Sequence, residues 1–220
     1  MEFDTSRAIM ISAPLVSCSL SFAPICGRES PITKKKKPTE NSVSRTHTFA
    51  FAYDGIRKLD EDHQPNLEIK IQWAYNVSYI EKLSKKQLST AQKVVDTFTK
   101  QGINTLILKG LSLAALYPEP EHRQSGDIDI YLMGDFERGN EIVKSKGINV
   151  KYDYFVHSEF VVDGVNIENH HYFVNPDVNS TGRYIERVLE QMVAHSTDHP
   201  TVEGALIPSA EFTALFLARH

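Results

Sequence analysis

Residues Arg123-Gln-Ser-Gly-Asp127-Ile-Asp129-Ile-Tyr-Leu132 constrain this chain more than any other stretch. A basic residue and a flexible Ser125-Gly126 pair lead into a run that alternates acid and apolar side chains. Period-2 alternation marks a half-buried strand. In a strand, residues i and i+2 share a face, so Asp127 and Asp129 point one way while Ile128 and Ile130 point the other. The Cα atoms of the two acids then lie roughly 6.5–7 Å apart. Two carboxylates this close repel, and one of them has its pKa raised unless a cation lies between them. A hard divalent ion bound through carboxylate oxygens, with water and phosphate completing its shell, removes the repulsion. Without further context, an Asp-x-Asp pair reads first as the exposed face of an edge strand.

The flanking segments supply that context. Upstream, Ile103–Leu108 reads as a buried strand, followed by Lys109-Gly110 and a short helix from Leu111 to Tyr117. A strand, a glycine and a helix start form a place to hold phosphate: the backbone comes close, the first N–H groups are free and Lys109 adds charge. Downstream, Val165–His170 is a second alternating strand, and it carries Glu168. Its alternation turns Ile167 to the core and Glu168 to the side of the paired acids. The carboxylate of Glu168 is therefore expected within roughly 4–8 Å of theirs, near enough to share a metal site with waters. Glu159 reads as solvated and Asp163 as a turn residue.

The rest of the chain reads as follows. The aromatic stretch Thr48–Tyr53 suggests a strand and turn or a docked segment, and Asp60–Asn66 a loop. Helical periodicity runs from about Trp73 to Lys100, with Ile80, Leu83, Ala91, Val94, Val95 and Phe98 near one face. Trp73, Tyr75 and Tyr79 read as packing residues. Phe136–Lys146 reads as a helix with Asp135 as its N-cap and Gly147 as its stop, and Ile148–Tyr152 as a strand. His157–Val162, the Asp163-Gly164 turn and Val165–Phe173 form a β-hairpin. A helix spans Arg183 to about Ser196, the short segment Ala205–Pro208 follows, and Ser209 caps a last helix. These elements predict an α/β (α+β) fold with a mixed, partly antiparallel sheet of about four or five strands, helices packed on one face and further flanking helices. His195 and His199 have the i, i+4 spacing of helical metal ligands, but Asp198 and Pro200 end the helix there. His170 shares the face of Glu168; it reads either as a site residue or as a strand histidine bonded to its neighbours. His157, across the hairpin, is placed alike.

Charge and cysteine usage narrow the partners. Residues 1–48 hold seven Lys/Arg, including Lys34 to Lys37, against four acids, whereas the remainder holds 17 basic and 24 acidic residues. An acidic body argues against extended DNA binding, which runs on clustered Lys and Arg. A small phosphorylated substrate or a narrow contact with one RNA end fits better. Residues 1–48 read as a disordered tail, rich in Ser, Pro and Thr. No window reaches the ~18–20 apolar residues of a membrane span. The two cysteines, Cys18 and Cys26, both lie in that tail, which fits a reducing cytoplasmic setting.

Leu108-Lys109-Gly110, then Arg123 with Gly126-Asp127-Ile128-Asp129, then a strand with an acid before a histidine, resembles the uncharacterised nucleotidyltransferase family of the DNA polymerase β-like superfamily. The likeness spans about residues 78–220 and is most specific from Lys109 to Leu132. It implies transfer of a nucleotidyl group from a nucleoside triphosphate such as ATP to an acceptor: transfer RNA, a protein or a small molecule. Under that resemblance Asp127, Asp129 and Glu168 are the catalytic carboxylates and the ligands of Mg²⁺, with Mn²⁺ as a substitute, and Lys109, Gly110, Ser112, Arg123, Ser125 and Gly126 hold the nucleotide. His170 is a candidate substrate contact if the first of its two readings applies. The superfamily places a Gly-Ser or Gly-Gly pair close before the acids. Here the pair is Gly110-Leu111 with Ser112 next, 17 positions upstream of Asp127. The expected organisation is a tail (1–48), an extension or loop segment (49–77), a nucleotidyltransferase-like domain (78–200) and the start of a C-terminal helical region (201–220) that the chain cuts short. Two rival expectations remain: a nucleotide-binding regulator that has lost turnover, and an acid-edged interaction domain that binds no nucleotide.

Overall fold

A computed structural model describes residues 48–153 and 156–219. The tail and its cysteines lie outside the described residues. The first element, α1 (Phe49–Ile56), is a helix, so of the two readings of this stretch the docked segment applies and the strand does not. The aromatic composition favours strand, but Phe49, Ala50 and Tyr53 share a helical face. That face packs on Trp73, Val77 and Ile80, with Phe49 and Tyr53 rings 5.1 and 6.4 Å from the Trp73 ring. Packing partners outweigh propensity here.

Helix α2 (Leu67–Thr99) runs for 33 residues. It starts ahead of the expected Trp73 because the Asn66 side chain accepts the Ile69 N–H at 3.0 Å, satisfying one of the open donors of the first turn. Beyond its end Gly102 takes a left-handed φ of 72°, a conformation glycine adopts at little cost. Then come β1 (Thr105–Ile107), α3 (Lys109–Ala114), β2 (Asp127–Tyr131), α4 (Phe136–Ser145), β3 (Lys151–Asp153), β4 (His157–Val162), β5 (Val165–His170), α5 (Ser180–Met192), β6 (Thr197–Asp198), β7 (Ala205–Ile207) and α6 (Ala210–Arg219). In the β4–β5 turn Asp163 and Gly164 both take positive φ, 52° and 72°, as a tight two-residue hairpin requires.

The strands form one mixed sheet in the order β3-β4-β5-β2-β1-β7-β6. Its β2/β5 and β1/β7 pairs are parallel and the rest antiparallel. The fold is α/β as expected, but with seven strands rather than four or five. The added β6 and β7 have two and three residues, too few to show a period.

Helices cover both faces, not one. On the first, Ile107, Ile128, Ile130 and Ile167 pack against Ala91, Val94, Val95 and Phe98 of α2 and Val143 of α4. On the second, Leu106 and Leu108 meet Leu189 of α5 and Phe212 and Phe216 of α6. The run Thr105–Leu108 is buried throughout, so neighbouring side chains feed opposite cores. Among the described residues, no helix is long and apolar enough to cross a membrane.

Candidate active site

The second face of β2 and β5 carries the site. Parallel pairing sets Asp129 opposite Glu168, and antiparallel pairing sets Glu168 opposite Glu159 and His170 opposite His157. Asp127, Asp129, Glu168 and His170 therefore come together on one face, as the alternation of each strand requires. Asp127 and Glu168 stand within hydrogen-bonding reach when one of them carries a proton.

Asp129 is the centre of the cluster and almost wholly buried. Its Oδ1 accepts from His170 Nε2 at 3.0 Å and from the Lys109 ammonium at 2.7 Å. Its Oδ2 is buried and, among the described residues, has no hydrogen-bond partner. The His170 ring is also buried, with Nε2 3.7 Å from Glu168 Oε2 and Nδ1 3.3 Å from the Tyr172 carbonyl. His170 is thus a strand histidine bonded to its neighbours, and two of those neighbours are the acids Asp129 and Glu168.

These contacts pull the pKa values apart. Burial pushes Asp127 up, and the charges of Asp129 and Glu168 push it further. Burial opposes ionisation of Asp129 too, but the His170 and Lys109 hydrogen bonds outweigh it and hold the carboxyl below its usual range. The His170 hydrogen bond does the same for Glu168. His170 is raised: burial works against its charge, and the bonds to Asp129 and Glu168 prevail. Two acids held in the ionised form and one pushed toward its neutral form stand on a single wall, an arrangement that could hold a cation.

Beside the acids lies a cavity of about 480 Å³ lined by Lys109, Gly110, Arg123, Ser125, Gly126, Asp127 and Asp129 together with Thr48, Phe51, Tyr117 and Gln124. Of the expected nucleotide-binding residues, Ser112 stands apart, buried inside α3. The β1–α3 junction is bent: Lys109 has a φ of 22°, and Gly110 sits outside helical geometry. A Cβ on Gly110 would come within 2.5 Å of Ser125 Oγ and 3.3 Å of the Asp127 carbonyl, so the 109–110 and 125–127 backbones meet because no side chain intervenes. Ser125 Oγ donates to the Asp127 carbonyl at 2.9 Å. Gln87 Nε2 of α2 donates to the Ser125 carbonyl at 2.7 Å.

Several residues escaped the sequence reading. Gln87 could have been found as a polar position on the apolar stripe of α2. Glu159 joins His157 and Glu168 in a second group whose ligand atoms lie within 4.8 Å of one another; Asp129, Glu168 and His170 form the first. Phe51 and Tyr117 also reach the cavity, from segments whose sequence pointed to secondary structure or docking and not to the site. The helix does end ahead of His199, as Asp198 and Pro200 implied: β6 separates His199 from His195, and the buried His199 accepts the Thr201 and Val202 N–H groups on Nδ1 at 3.2 Å.

Residues 41–220 match the family described as uncharacterised nucleotidyltransferase. This chain belongs to that family. Among solved structures it is similar to the crystal structure of a tRNA nucleotidyltransferase complexed with a primer tRNA and an incoming ATP analog. That likeness has 15% identity and a TM-score of 0.35, over 56% of this chain and 36% of that one. The chain thus spans little more than a third of that protein's length. No curated protein matches it. Among the described residues, the groups whose ligand atoms are close enough to hold a metal ion combine Glu168 either with Asp129 and His170 or with His157 and Glu159, and Asp127 belongs to neither.

Proposed function

We propose that this chain transfers a nucleotidyl group from a nucleoside triphosphate to an acceptor hydroxyl with the help of a divalent cation, Mg²⁺ or in its place Mn²⁺. The carrying observation is the Asp129 carboxylate, whose Oδ2 is buried without a partner on a wall shared with Asp127 and Glu168. A buried carboxylate oxygen left unpaired costs free energy that a bound cation recovers. The donor set fits: three carboxylates suit a hard ion. Bound there, the ion supplies charge stabilisation to the attacking and leaving oxygens.

The chain's own residues do the rest. Arg123 is suited to a planar two-bond grip on phosphate, and Gly110 lets the backbone approach it. The Lys109 ammonium stands at the junction of acids and cavity. In the reaction the acceptor oxygen bonds to the α-phosphorus, the bond to the β-phosphate oxygen breaks, and pyrophosphate departs. Glu168, the most accessible member of the His170-bonded pair, takes the acceptor proton or serves as the third ligand. His170 holds both Asp129 and Glu168 in place. Transfer RNA, a protein and a small molecule all remain as acceptor classes.

Labelled triphosphates incubated with the protein and a total cell extract test this reading. The expected result is label transfer and pyrophosphate release that need Mg²⁺ and vanish on chelation. Nucleotide binding with no pyrophosphate released in any extract would overturn it in favour of a nucleotide-binding regulator.

A further inference from the structure

The acids and cations of the cavity account for phosphate and metal, but not for the aromatic part of its wall. Phe51 of α1 and Tyr117, in the loop after α3, line the same cavity as Lys109, Arg123, Asp127 and Asp129. Their rings lie 4.8 Å apart, tilted by 44°. Tyr117 is 37% exposed although large and aromatic. Phe51 is half-buried and stands outside the α1–α2 core, which Phe49, Ala50 and Tyr53 fill. It lines a second cavity of about 460 Å³ with Arg57, Lys58 and Pro118, so open space lies on two sides of it.

The position of α1 is also held from the site. Asp54, one turn beyond Phe51, is 2.6 Å from Nδ1 of the buried His122, and His122 directly precedes Arg123. The aromatic wall and the phosphate-gripping arginine therefore share one anchor. A chain that needed only core packing from α1 would have no use for a partly open aromatic pair at this place.

We propose that Phe51 and Tyr117 form the stacking platform for the base of the incoming nucleoside triphosphate; this rests on the nucleotidyl-transfer reading. A nucleobase presents a flat π-face that aromatic side chains accept regardless of its hydrogen-bonding edge. The triphosphate of the same molecule lies toward Lys109, Gly110 and Arg123, which puts charge with charge and ring with ring in one continuous cavity. Its size falls within the usual range for small-molecule sites. Base selectivity from such a platform is weak, because no edge is read.

Isothermal titration of the full chain in Mg²⁺, without acceptor, tests the proposal with ATP and with inorganic tripolyphosphate, which lacks base and sugar. The wild type should bind ATP more tightly. Phe51→Leu and Tyr117→Leu should each weaken ATP binding about 5- to 150-fold, the range for one base-on-aromatic contact, and leave tripolyphosphate affinity unchanged. Phe51→Tyr should retain ATP affinity. Equal wild-type affinity for the two ligands, unchanged ATP affinity in both leucine variants, or a parallel loss of both ligands would each overturn the platform. A wild type that binds neither ligand would instead overturn the nucleotidyl-transfer reading beneath it.

Discussion

Two buried histidines in this molecule each face two carboxylates, and the two arrangements behave differently. His122 gives each ring nitrogen its own partner: Nδ1 is 2.6 Å from Asp54 and Nε2 3.2 Å from Glu81. The result ties α1 to α2 and to the turn ahead of Arg123. At the site, one nitrogen of His170 serves both Asp129 and Glu168, and the Lys109 ammonium goes to the same Asp129 oxygen. Donors crowd one side of the carboxylate while its other oxygen stays buried and unpartnered. Asp127 adds a further acid with its pKa raised. The same residue types thus build a brace where every acceptor has a donor of its own, and a receptor where donors are bunched.

Removing an acid from the receptor has the largest expected effect. Asp127→Asn should lower nucleotidyl transfer at least ~1000-fold, the several kcal/mol of charge stabilisation a metal supplies. Rates measured at saturating triphosphate and Mg²⁺ check this. The same variant without metal should keep or slightly raise its thermal midpoint, because like-charge repulsion is relieved. A clear loss of metal-free stability would make Asp127 a structural acceptor and blur the distinction between the two clusters.

His199 sharpens the comparison because it is buried with no carboxylate beside it. Burial pushes its pKa down to about 4, against the small opposing pull of the Leu111 backbone. A group whose folded pKa is depressed binds its proton more readily when unfolded. Its contribution is full above the unfolded value of about 6.5 and is lost as pH falls from there toward 4. The loss should be at most ~3 kcal/mol. Denaturant titrations at stepped pH should show it, and His199→Asn should flatten that part of the profile.

For His122 the sign reverses. Burial lowers its pKa, but the hydrogen bonds to Asp54 and Glu81 outweigh that and raise it. Its stabilisation is therefore complete below about pH 6.5 and fades as pH rises through the raised value. His122→Asn should cost ~1–3 kcal/mol at pH 6, where two partly buried acids lose their donor, and less at pH 9. A stability difference that grows with pH would break the brace reading. The Mg²⁺-induced shift in midpoint should survive this change, as it should not in Asp127→Asn.

The acid row was legible because both of its strands advertise themselves. Asp127-Ile-Asp129-Ile and Val165-Asn-Ile-Glu168 alternate cleanly, and alternation alone assigns Glu168 to the side of the paired acids. Asp163-Gly164 announced the hairpin just as directly. The second helical layer was less visible, since Leu106 and Ile107 look alike in a wholly apolar run and only three-dimensional packing separates their faces. Strands β6 and β7 are too short to carry a period. The His122 brace joins residues from three separate segments, and no local spacing connects Asp54, Glu81 and His122. The α1 stretch stayed open between strand and docked segment because its aromatic residues favour strand until the α2 surface gives them a helical face to fill.

The parallel pairing of β2 with β5 also has a consequence for how the molecule assembles. The β4–β5 hairpin can close by itself, since its turn needs two residues. Asp129 and His170, however, are 41 positions apart, and bringing such distant segments together is entropically slow. The carboxylates therefore gather only when β5 docks, and their mutual repulsion is felt at that step. His170 reaches Asp129 in that event, whereas Lys109 comes to it through the β1–β2 pairing, and both contacts offset part of the repulsion. A divalent ion present during refolding should then raise the folding rate more than it slows unfolding, a kinetic signature that stopped-flow chevrons with and without Mg²⁺ would expose.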